Sequence, residues 1–198
     1  MIVVFGASYA KDWQIADIAG LAVVNAGVGG NETRDMMERY ERDVLARSPR
    51  YVLIWGFIND YTRSSADKHP QVAALIEQRL TQMVDLAVAR QVRPILATEV
   101  TMPAATSWSG AVLASIYGAL GRKGYADRIN TQVMNSNRWL KQFAAERQLP
   151  VLDLQAALAA DGFYRERRYS LPDGSHLTAA AYAALNLYVD TQKGLFSK

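Results

Sequence analysis

The chain has 198 residues, of which half are hydrophobic and about a fifth are charged, with a formal net charge of +3 and no cysteine. This length is enough to bury a core, and we expect residues 1–198 to form a single domain. The lack of cysteine excludes disulfides and thiolate metal sites, and the dispersed basic residues do not support nucleic-acid binding. No apolar stretch reaches membrane-spanning length and no signal peptide is visible, so we expect no integral membrane segment. The compartment stays open: cytoplasmic, or periplasmic or secreted for a trimmed mature chain.

Short apolar runs alternate with segments of helical period. The runs predict strands at residues 2–5, 21–25, 51–55, 94–97 and 151–154. The helical faces between and after them include Met36, Tyr40, Ile76, Leu80, Val133, Leu140, Ala181 and Leu185. Asn31 or Thr33 is the expected N-cap of the helix after the second strand. Alternation of this kind indicates βαβ units, and we predict a three-layer α/β domain with a parallel sheet covered on both faces.

The first strand ends in Gly6-Ala7-Ser8. In open parallel α/β sheets, ligands bind at the carboxyl edge, which is where Ser8 is expected to lie. A hydroxyl at this place is either a turn residue that bonds its own backbone or a nucleophile. This stretch alone leaves both interpretations open.

A serine nucleophile needs a base, and the chain has two histidines that could serve. His69 precedes Pro70 in a polar stretch and is expected to be a solvated residue at a helix start. His176 lies just before the last helical segment, three residues after Asp173. A turn could direct the carboxylate of Asp173 to one ring nitrogen, which would set the tautomer and stabilise the imidazolium. Taken alone, the Asp-x-x-His spacing is a weak signal, because short turns rich in aspartate and glycine are common.

A serine nucleophile that attacks an acyl group produces a negatively charged oxygen, the oxyanion, which needs hydrogen-bond donors. Two stretches of the sequence could supply them. The glycine-rich stretch at residues 25–31 follows the second strand and leads into a helix, so its backbone N–H groups could face a negative charge. Asn59 follows the third strand and offers a side-chain amide. The same glycines could suggest a dinucleotide-binding loop, but Glu32 stands where the motif G-x-G-x-x-G requires its third glycine. A P-loop is disfavoured as well, because no P-loop lysine follows. Alternatively, the glycines serve a tight turn between strand and helix, and Asn59 with Asp60 caps a helix.

Residues 98–125 interrupt the alternation of strands and helices, with one proline and four glycines. Because this segment follows the fourth strand, it is expected to lie over the same edge as Ser8. It is either a lid or binding loop, or a surface loop with a short helix. Five aromatic residues could line a pocket or belong to the core: Trp13, Trp55, Phe57, Trp108 and Tyr125.

Four blocks follow one another across nearly the whole chain: Phe5-Gly6-Ala7-Ser8, residues 25–31, Trp55-Gly56-Phe57-Ile58-Asn59-Asp60 and Asp173-Gly174-Ser175-His176-Leu177. In this order the sequence resembles the SGNH hydrolases, also called the GDSL esterase/lipase family. The resemblance implies a flavodoxin-like α/β/α sandwich and a triad of Ser8, His176 and Asp173. It also implies an oxyanion hole formed by the N–H groups of Ser8 and Gly30 and the side chain of Asn59. No metal and no organic cofactor are implied.

Two departures from the family pattern bear on the geometry of the oxyanion hole, including the choice of Gly30 over Gly29. Ala7 stands where the family has an aspartate, and Gly56 and Asn59 are separated by one residue more. The implied reaction is hydrolysis of acyl or acetyl esters through an acyl-enzyme, on a small-molecule, carbohydrate or lipid ester. An O-acyltransferase with a sugar or alcohol acceptor and a catalytically silent binding domain are the alternatives. The sequence leaves the substrate-binding residues and the oligomeric state open.

Overall fold

The computed structural model describes residues 1–104 and 124–196. Within these residues one six-stranded sheet runs in the order β2-β3-β1-β4-β5-β6. Its strands are β1 Ile2–Gly6, β2 Asp17–Ile18, β3 Leu21–Gly27, β4 Tyr51–Trp55, β5 Arg93–Ala97 and β6 Val151–Leu152. All neighbouring pairs are parallel except β2 with β3. The parallel strands therefore bring their carboxyl ends to one edge, with β1 at the centre.

Helices flank this sheet. They are α1 Ser8–Asp12, α2 Thr33–Asp43, α3 Ile58–Thr62, α4 His69–Ala89, α5 Tyr125–Glu146, α6 Leu154–Leu158 and α7 Ala179–Thr191. Helix α4 packs between α2 and α5. On α7, Tyr182 Oη and Asn186 Oδ1 bond to α1 and to Trp13 just beyond it. The chain moves one way along the sheet from β1 to β3 and the other way from β3 through β4 to β6. Because βαβ crossovers are right-handed almost without exception, this order favours α1 and α7 on one face and α2, α4 and α5 on the other.

The central strands are buried on both faces. Every residue of β1 and β4 is buried, and this explains why both read as continuous apolar runs rather than as alternating patterns. The predicted class, an α/β sandwich with a central, mostly parallel sheet, is confirmed.

Several local expectations differ from the structure. Strand β6 ends at Leu152, before the predicted boundary, because the carboxylate of Asp153 accepts from Ala156 N and starts α6. The short antiparallel β2 had no signal in the sequence. Helix α2 is capped by Glu32, whose N–H donates to Asp35 Oδ2 at 2.9 Å, and not by Asn31 or Thr33. The side chains of those two residues bind elsewhere.

His69 begins α4, but it is not solvated. Its side chain is buried, and the ring packs edge-on against Tyr61 at 5.4 Å between centroids. The polar sequence around it suggested exposure, whereas the start of α4 folds against α3. The expectation of a solvated histidine is wrong.

Two glycines allow the backbone to pack closely at the carboxyl edge. A Cβ on Gly6 would come within 1.8 Å of the carbonyl oxygen of Trp55, and a Cβ on Gly27 within 2.1 Å of Lys11 N. Both obstacles are backbone atoms that cannot rotate away. The approach of β1 to β4, and of α1 to β3, therefore requires glycine.

We expect Gly27→Ala to lower the free energy of unfolding by about 2 kcal/mol or more, because the new methyl group forces α1 away from β3. This corresponds to a fall in Tm of about 4 °C or more, measurable by thermal unfolding. Gly29→Ala is the matched control, since its Cβ would meet only the Lys11 side chain at 3.6 Å. Equal melting temperatures for the two variants would contradict the packing argument.

Candidate active site

Ser8 is the first residue of α1, and Ala7 alone separates it from the carboxyl end of β1. The N–H groups of a first helical turn have no partner within the helix, so the Ser8 N–H is free of intrahelical bonds. Ala7 before it is buried and accepts a hydrogen bond from Lys11 N at 2.9 Å. The turn thus places a hydroxyl and an N–H donor at the edge predicted for ligand binding.

A cavity of about 410 Å³ opens at this edge. The structure brings to its wall four predicted residues, namely Ser8, Gly30, Asn59 and His176. The other lining residues are Tyr9, Ile58, Thr62, Arg63, Met102, Tyr125 and Ser175. Among the residues that the structure describes, no hydrogen bond joins the Ser8 hydroxyl to the His176 ring. Such bonds are commonly long in a free enzyme and tighten when the substrate binds.

Asp173 lies behind His176. Its Oδ2 is 2.7 Å from His176 Nδ1, and its Oδ1 accepts from the backbone N–H groups of Ser175 at 2.8 Å and His176 at 2.9 Å. The bonds from the His176 backbone and ring lower the pKa of Asp173 to about 2. The carboxylate is therefore ionised at neutral pH and holds a proton on Nδ1, which leaves Nε2 as the basic nitrogen.

The glycine turn after β3 is attached to the segment that carries Asn59. Asn59 Nδ2 donates to the carbonyl of Asn31 at 2.9 Å, and Arg63 Nη1 donates to the carbonyl of Gly30. Gly30 has a φ of 78°, in the left-handed region that favours glycine. An amide nitrogen carries two hydrogens, so Asn59 keeps one donor for another acceptor. Gly30 lines the cavity, whereas Gly29 packs near the Lys11 side chain.

Asp60 connects the same two segments, although the sequence indicated only a possible helix cap. Its carboxylate accepts from Thr33 N at 3.0 Å and from Thr33 Oγ1 at 2.6 Å, which secures the start of α2. Arg79 Nη1 lies 3.6 Å from Asp60 Oδ1. Burial outweighs these favourable contacts and raises the pKa of Asp60 to about 6.

Arg39 is a buried cation that sequence reasoning missed. Its guanidinium donates to the carbonyls of Gly6 at 2.8 Å and Ala26 at 2.7 Å, and to Asn31 Oδ1 at 2.6 Å. It also lies 4.2 Å from the centroid of the Phe5 ring. Arg39 therefore ties the ends of β1 and β3 to the glycine turn. Its position three residues after Met36, on the apolar face of α2, was the available signal.

Glu99 is a buried carboxylate just beyond β5, and it was not identified from the sequence either. Its Oε2 accepts from Phe57 N at 2.6 Å and Ile58 N at 3.1 Å, and its Oε1 accepts from Val100 N at 3.1 Å. Desolvation raises the pKa of Glu99 in spite of these three donors. Glu99 thus supports the start of α3, the helix that carries Asn59. A charged residue two positions after a buried strand was the signal in the sequence.

The segment at residues 98–125 borders the cavity at both ends, through Met102 and Tyr125. The expectation of a lid, and Trp108 with it, falls on residues 105–123, outside the described residues. Three of the aromatic candidates belong to the core instead of the pocket wall, because Trp13, Trp55 and Phe57 are each at most 2% exposed. Tyr125 lies on the cavity wall, as the pocket interpretation predicts.

Residues 1–104 and 124–196 contain no group of three or more histidine, aspartate or glutamate residues that could hold a metal ion. None of the helices in these ranges is long and apolar enough to cross a membrane.

A mostly parallel sheet with a cavity at its carboxyl edge, lined by Ser8, Asn59 and His176, is compatible with an α/β hydrolase. The chain belongs to the GDSL-like Lipase/Acylhydrolase family, whose model matches residues 6–184. The family resemblance predicted from the four sequence blocks is therefore confirmed, and with it the class of ester-bond hydrolases.

The relatives agree with this assignment. An acetylxylan esterase from Geobacillus stearothermophilus is 48% identical over 44 residues, an alignment that spans 22% of this chain and only 20% of that relative. The structure of an acetylxylan esterase from the same organism has a TM-score of 0.70 at 20% identity and covers 98% of this chain and 94% of its own. A GDSL-like lipase from Bacteroides thetaiotaomicron has a TM-score of 0.72 at 19% identity, with coverages of 98% and 87%. At these identities, the structural likeness shows a shared fold.

The raised pKa of Asp60 predicts a pH-dependent stability. From pH 4 to 6 the folded protein holds a proton that the unfolded chain releases, so raising the pH through this window lowers the free energy of unfolding. The shift from 3.8 to about 6 corresponds to a loss of about 3 kcal/mol at most. Asp60→Asn should remove this component. Urea unfolding of both proteins between pH 4 and 7 measures it, and a constant difference across that range would contradict the raised pKa.

Proposed function

We propose that this protein is a serine esterase that hydrolyses acyl or acetyl esters through an acyl-enzyme intermediate. One observation carries the proposal: Ser8, Gly30, Asn59 and His176 line a single cavity, with Asp173 bonded to His176 Nδ1 at 2.7 Å. These groups supply a nucleophile, a base, an orienting carboxylate and oxyanion donors, which together satisfy the needs of acyl transfer.

In the first half of the reaction, His176 Nε2 takes the proton of the Ser8 hydroxyl as Ser8 Oγ bonds to the ester carbonyl carbon. The charge that forms on the carbonyl oxygen is met by the N–H groups of Ser8 and Gly30 and by Asn59 Nδ2. Asp173 stabilises the imidazolium through Nδ1 without taking its proton. His176 then gives the proton to the alcohol oxygen as the carbon–oxygen bond breaks, which leaves the acyl group on Ser8.

In the second half, His176 takes a proton from water, whose oxygen attacks the acyl carbon. The same donors stabilise the second oxyanion. The bond from Ser8 Oγ to carbon breaks, Ser8 regains a proton from His176, and the carboxylic acid leaves.

The two departures from the family pattern have local compensations that support the proposal. Ala7 brings no carboxylate to the nucleophile turn, but Arg39 binds the carbonyl of Gly6 there. The longer stretch before Asn59 is accommodated at Gly56, which has a φ of 148°, and by Glu99, which binds the N–H of Phe57 and Ile58. At both places the backbone groups at the ends of the loop keep a hydrogen-bond partner.

For the substrate, we propose an acetyl or other short acyl ester of a carbohydrate. The acetylxylan esterase relatives favour this class. The cavity wall is also mixed, with Tyr125 and Met102 as apolar surfaces and Thr62 and Arg63 as polar ones. A sugar ring presents both kinds of surface.

We expect Ser8→Ala and His176→Ala each to lower kcat on p-nitrophenyl acetate by about a thousandfold or more, because either change removes nucleophilic attack. A fluorophosphonate should label Ser8, as mapped by mass spectrometry. Ser65→Ala is the control, since this exposed serine lies between α3 and α4, outside the cavity wall. Turnover that survives in Ser8→Ala would rule out this mechanism.

Asn59→Ala should lower kcat by about a hundredfold or more, because it removes one oxyanion donor. The variant also loses the bond to Asn31, so circular dichroism must first show an intact fold. Unchanged turnover in the folded variant would refute the oxyanion role of Asn59.

In the proposed hydrolysis, water accepts the acyl group from Ser8. Analysis of the reaction products tests whether water is the acceptor. With p-nitrophenyl acetate and a sugar or alcohol acceptor, we expect free acetate as the main product. Acetylated acceptor in its place would identify an O-acyltransferase that uses the same residues.

A further inference from the structure

The proposed nucleophile and base lie at opposite ends of the sequence. Ser8 begins α1, whereas His176 lies on a loop before α7. Among the described residues this loop joins no strand of the sheet, and an isolated antiparallel bridge pairs its Ser170 with Leu177. The side chain of His176 is about half exposed and bonds to Asp173 of the same loop, while Leu177 next to it is buried. The bond to Asp173 stays within the loop, so contacts between the loop and α1 bear on the separation between Ser8 and His176.

Two buried side chains connect these segments. Tyr9, the neighbour of Ser8, donates from Oη to the carbonyl of Ser175, the neighbour of His176, at 2.7 Å. Arg165 donates from Nη1 to Tyr9 Oη at 2.9 Å and from Nη2 to the carbonyl of Gly174 at 2.9 Å. We call Tyr9 and Arg165 the clamp.

The geometry of Arg165 suits it to this role. Its guanidinium is a rigid planar fork, and its Nε also donates to Ser170 Oγ at 2.8 Å. Three donors on one plane therefore define where α1, the Ser170 turn and the Gly174 carbonyl lie relative to one another. Arg165 is only 1% exposed, so water cannot replace these bonds cheaply.

The clamp is a costly way to obtain stability alone. Among the described residues, no carboxylate lies within salt-bridge distance of Arg165, so its buried charge is met only by neutral groups and by the face of the Tyr9 ring. Burial raises the pKa of the Tyr9 phenol, which keeps the hydroxyl protonated as a donor. A neutral, apolar contact would have joined these segments without desolvating a cation.

We propose that Tyr9 and Arg165 are positioning residues for catalysis, which hold the loop that carries His176 in register with Ser8. The inference rests on the proposed function. The clamp does not touch the reacting atoms; it acts through the backbone on both sides. A displacement of about 1 Å between nucleophile and base can cost a hundredfold in rate, which is why such a device would matter.

The test compares Tyr9→Phe with Tyr182→Phe. Tyr9→Phe keeps the ring that packs against Trp55 but removes the hydroxyl from the clamp. Tyr182→Phe is the matched control, because Tyr182 Oη also bonds to α1, at the carbonyl of Tyr9 at 3.1 Å, but within the described part of the chain it bonds to no residue of the His176 loop. Each variant is first checked for folding by thermal unfolding.

We expect Tyr9→Phe to lower kcat on p-nitrophenyl acetate by about tenfold to a hundredfold with little change in KM. The rate of fluorophosphonate labelling should fall in parallel, because it depends on activation of Ser8 by His176. Tyr182→Phe should keep the kcat and the labelling rate of the native protein. Arg165→Lys, which cannot rebuild the fork, should reproduce the kcat defect where it folds.

A folded Tyr9→Phe protein with native kcat, or with only a raised KM, would overturn the proposal. Equal losses in Tyr9→Phe and Tyr182→Phe would also overturn it, since they would reflect general loosening of α1. Ser8→Ala distinguishes the two levels of the argument. If Ser8→Ala is inactive and Tyr9→Phe is fully active, the clamp is wrong and the esterase mechanism stands; if Ser8→Ala is active, the proposed function itself fails.

Discussion

Buried backbone groups at the ends of parallel strands need hydrogen-bond partners that the sheet cannot supply, and this requirement organises the carboxyl edge of the protein. The chain meets it with charged side chains. Arg39 binds the last carbonyl of β1 and the next-to-last carbonyl of β3, Glu99 binds N–H groups at the start of α3, and Asp60 binds the N–H that starts α2. Each side chain comes from a different segment than the groups it satisfies.

This arrangement has a direct consequence for chemistry. Under the proposed mechanism, the described loops that carry Ser8, Gly30, Asn59 and His176 are each held by a buried polar side chain from another segment, so the proposed donors would be oriented before a substrate binds. Electrostatic stabilisation of an oxyanion depends on such preorganisation, because reorienting donors during the reaction would cost free energy. Ala7, which replaces the acid of the family pattern, leaves the support of the nucleophile turn to Arg39.

The sequence predicted the regular elements well, because burial on both faces of a sheet produces uninterrupted apolar runs. It was less informative about side chains that depend on distant partners. His69 lies in a polar stretch and is nevertheless buried against Tyr61, and Trp13, Trp55 and Phe57 are core residues where a pocket wall was equally compatible with the pattern. Neither outcome is encoded within a few residues of the positions concerned.

The sequence by itself determined the α/β class, the order of the four blocks and the membership of the hydrolase family, since these depend on local pattern and spacing. It also determined the short-range pair of Asp173 and His176, because a turn of three residues closes that contact. Only the tertiary structure decided which partners meet across the chain. The bonds of Arg165 to Tyr9 and of Asp60 to Thr33 join residues far apart in sequence, and they exist because strand order and crossovers bring separate loops to one edge of the sheet.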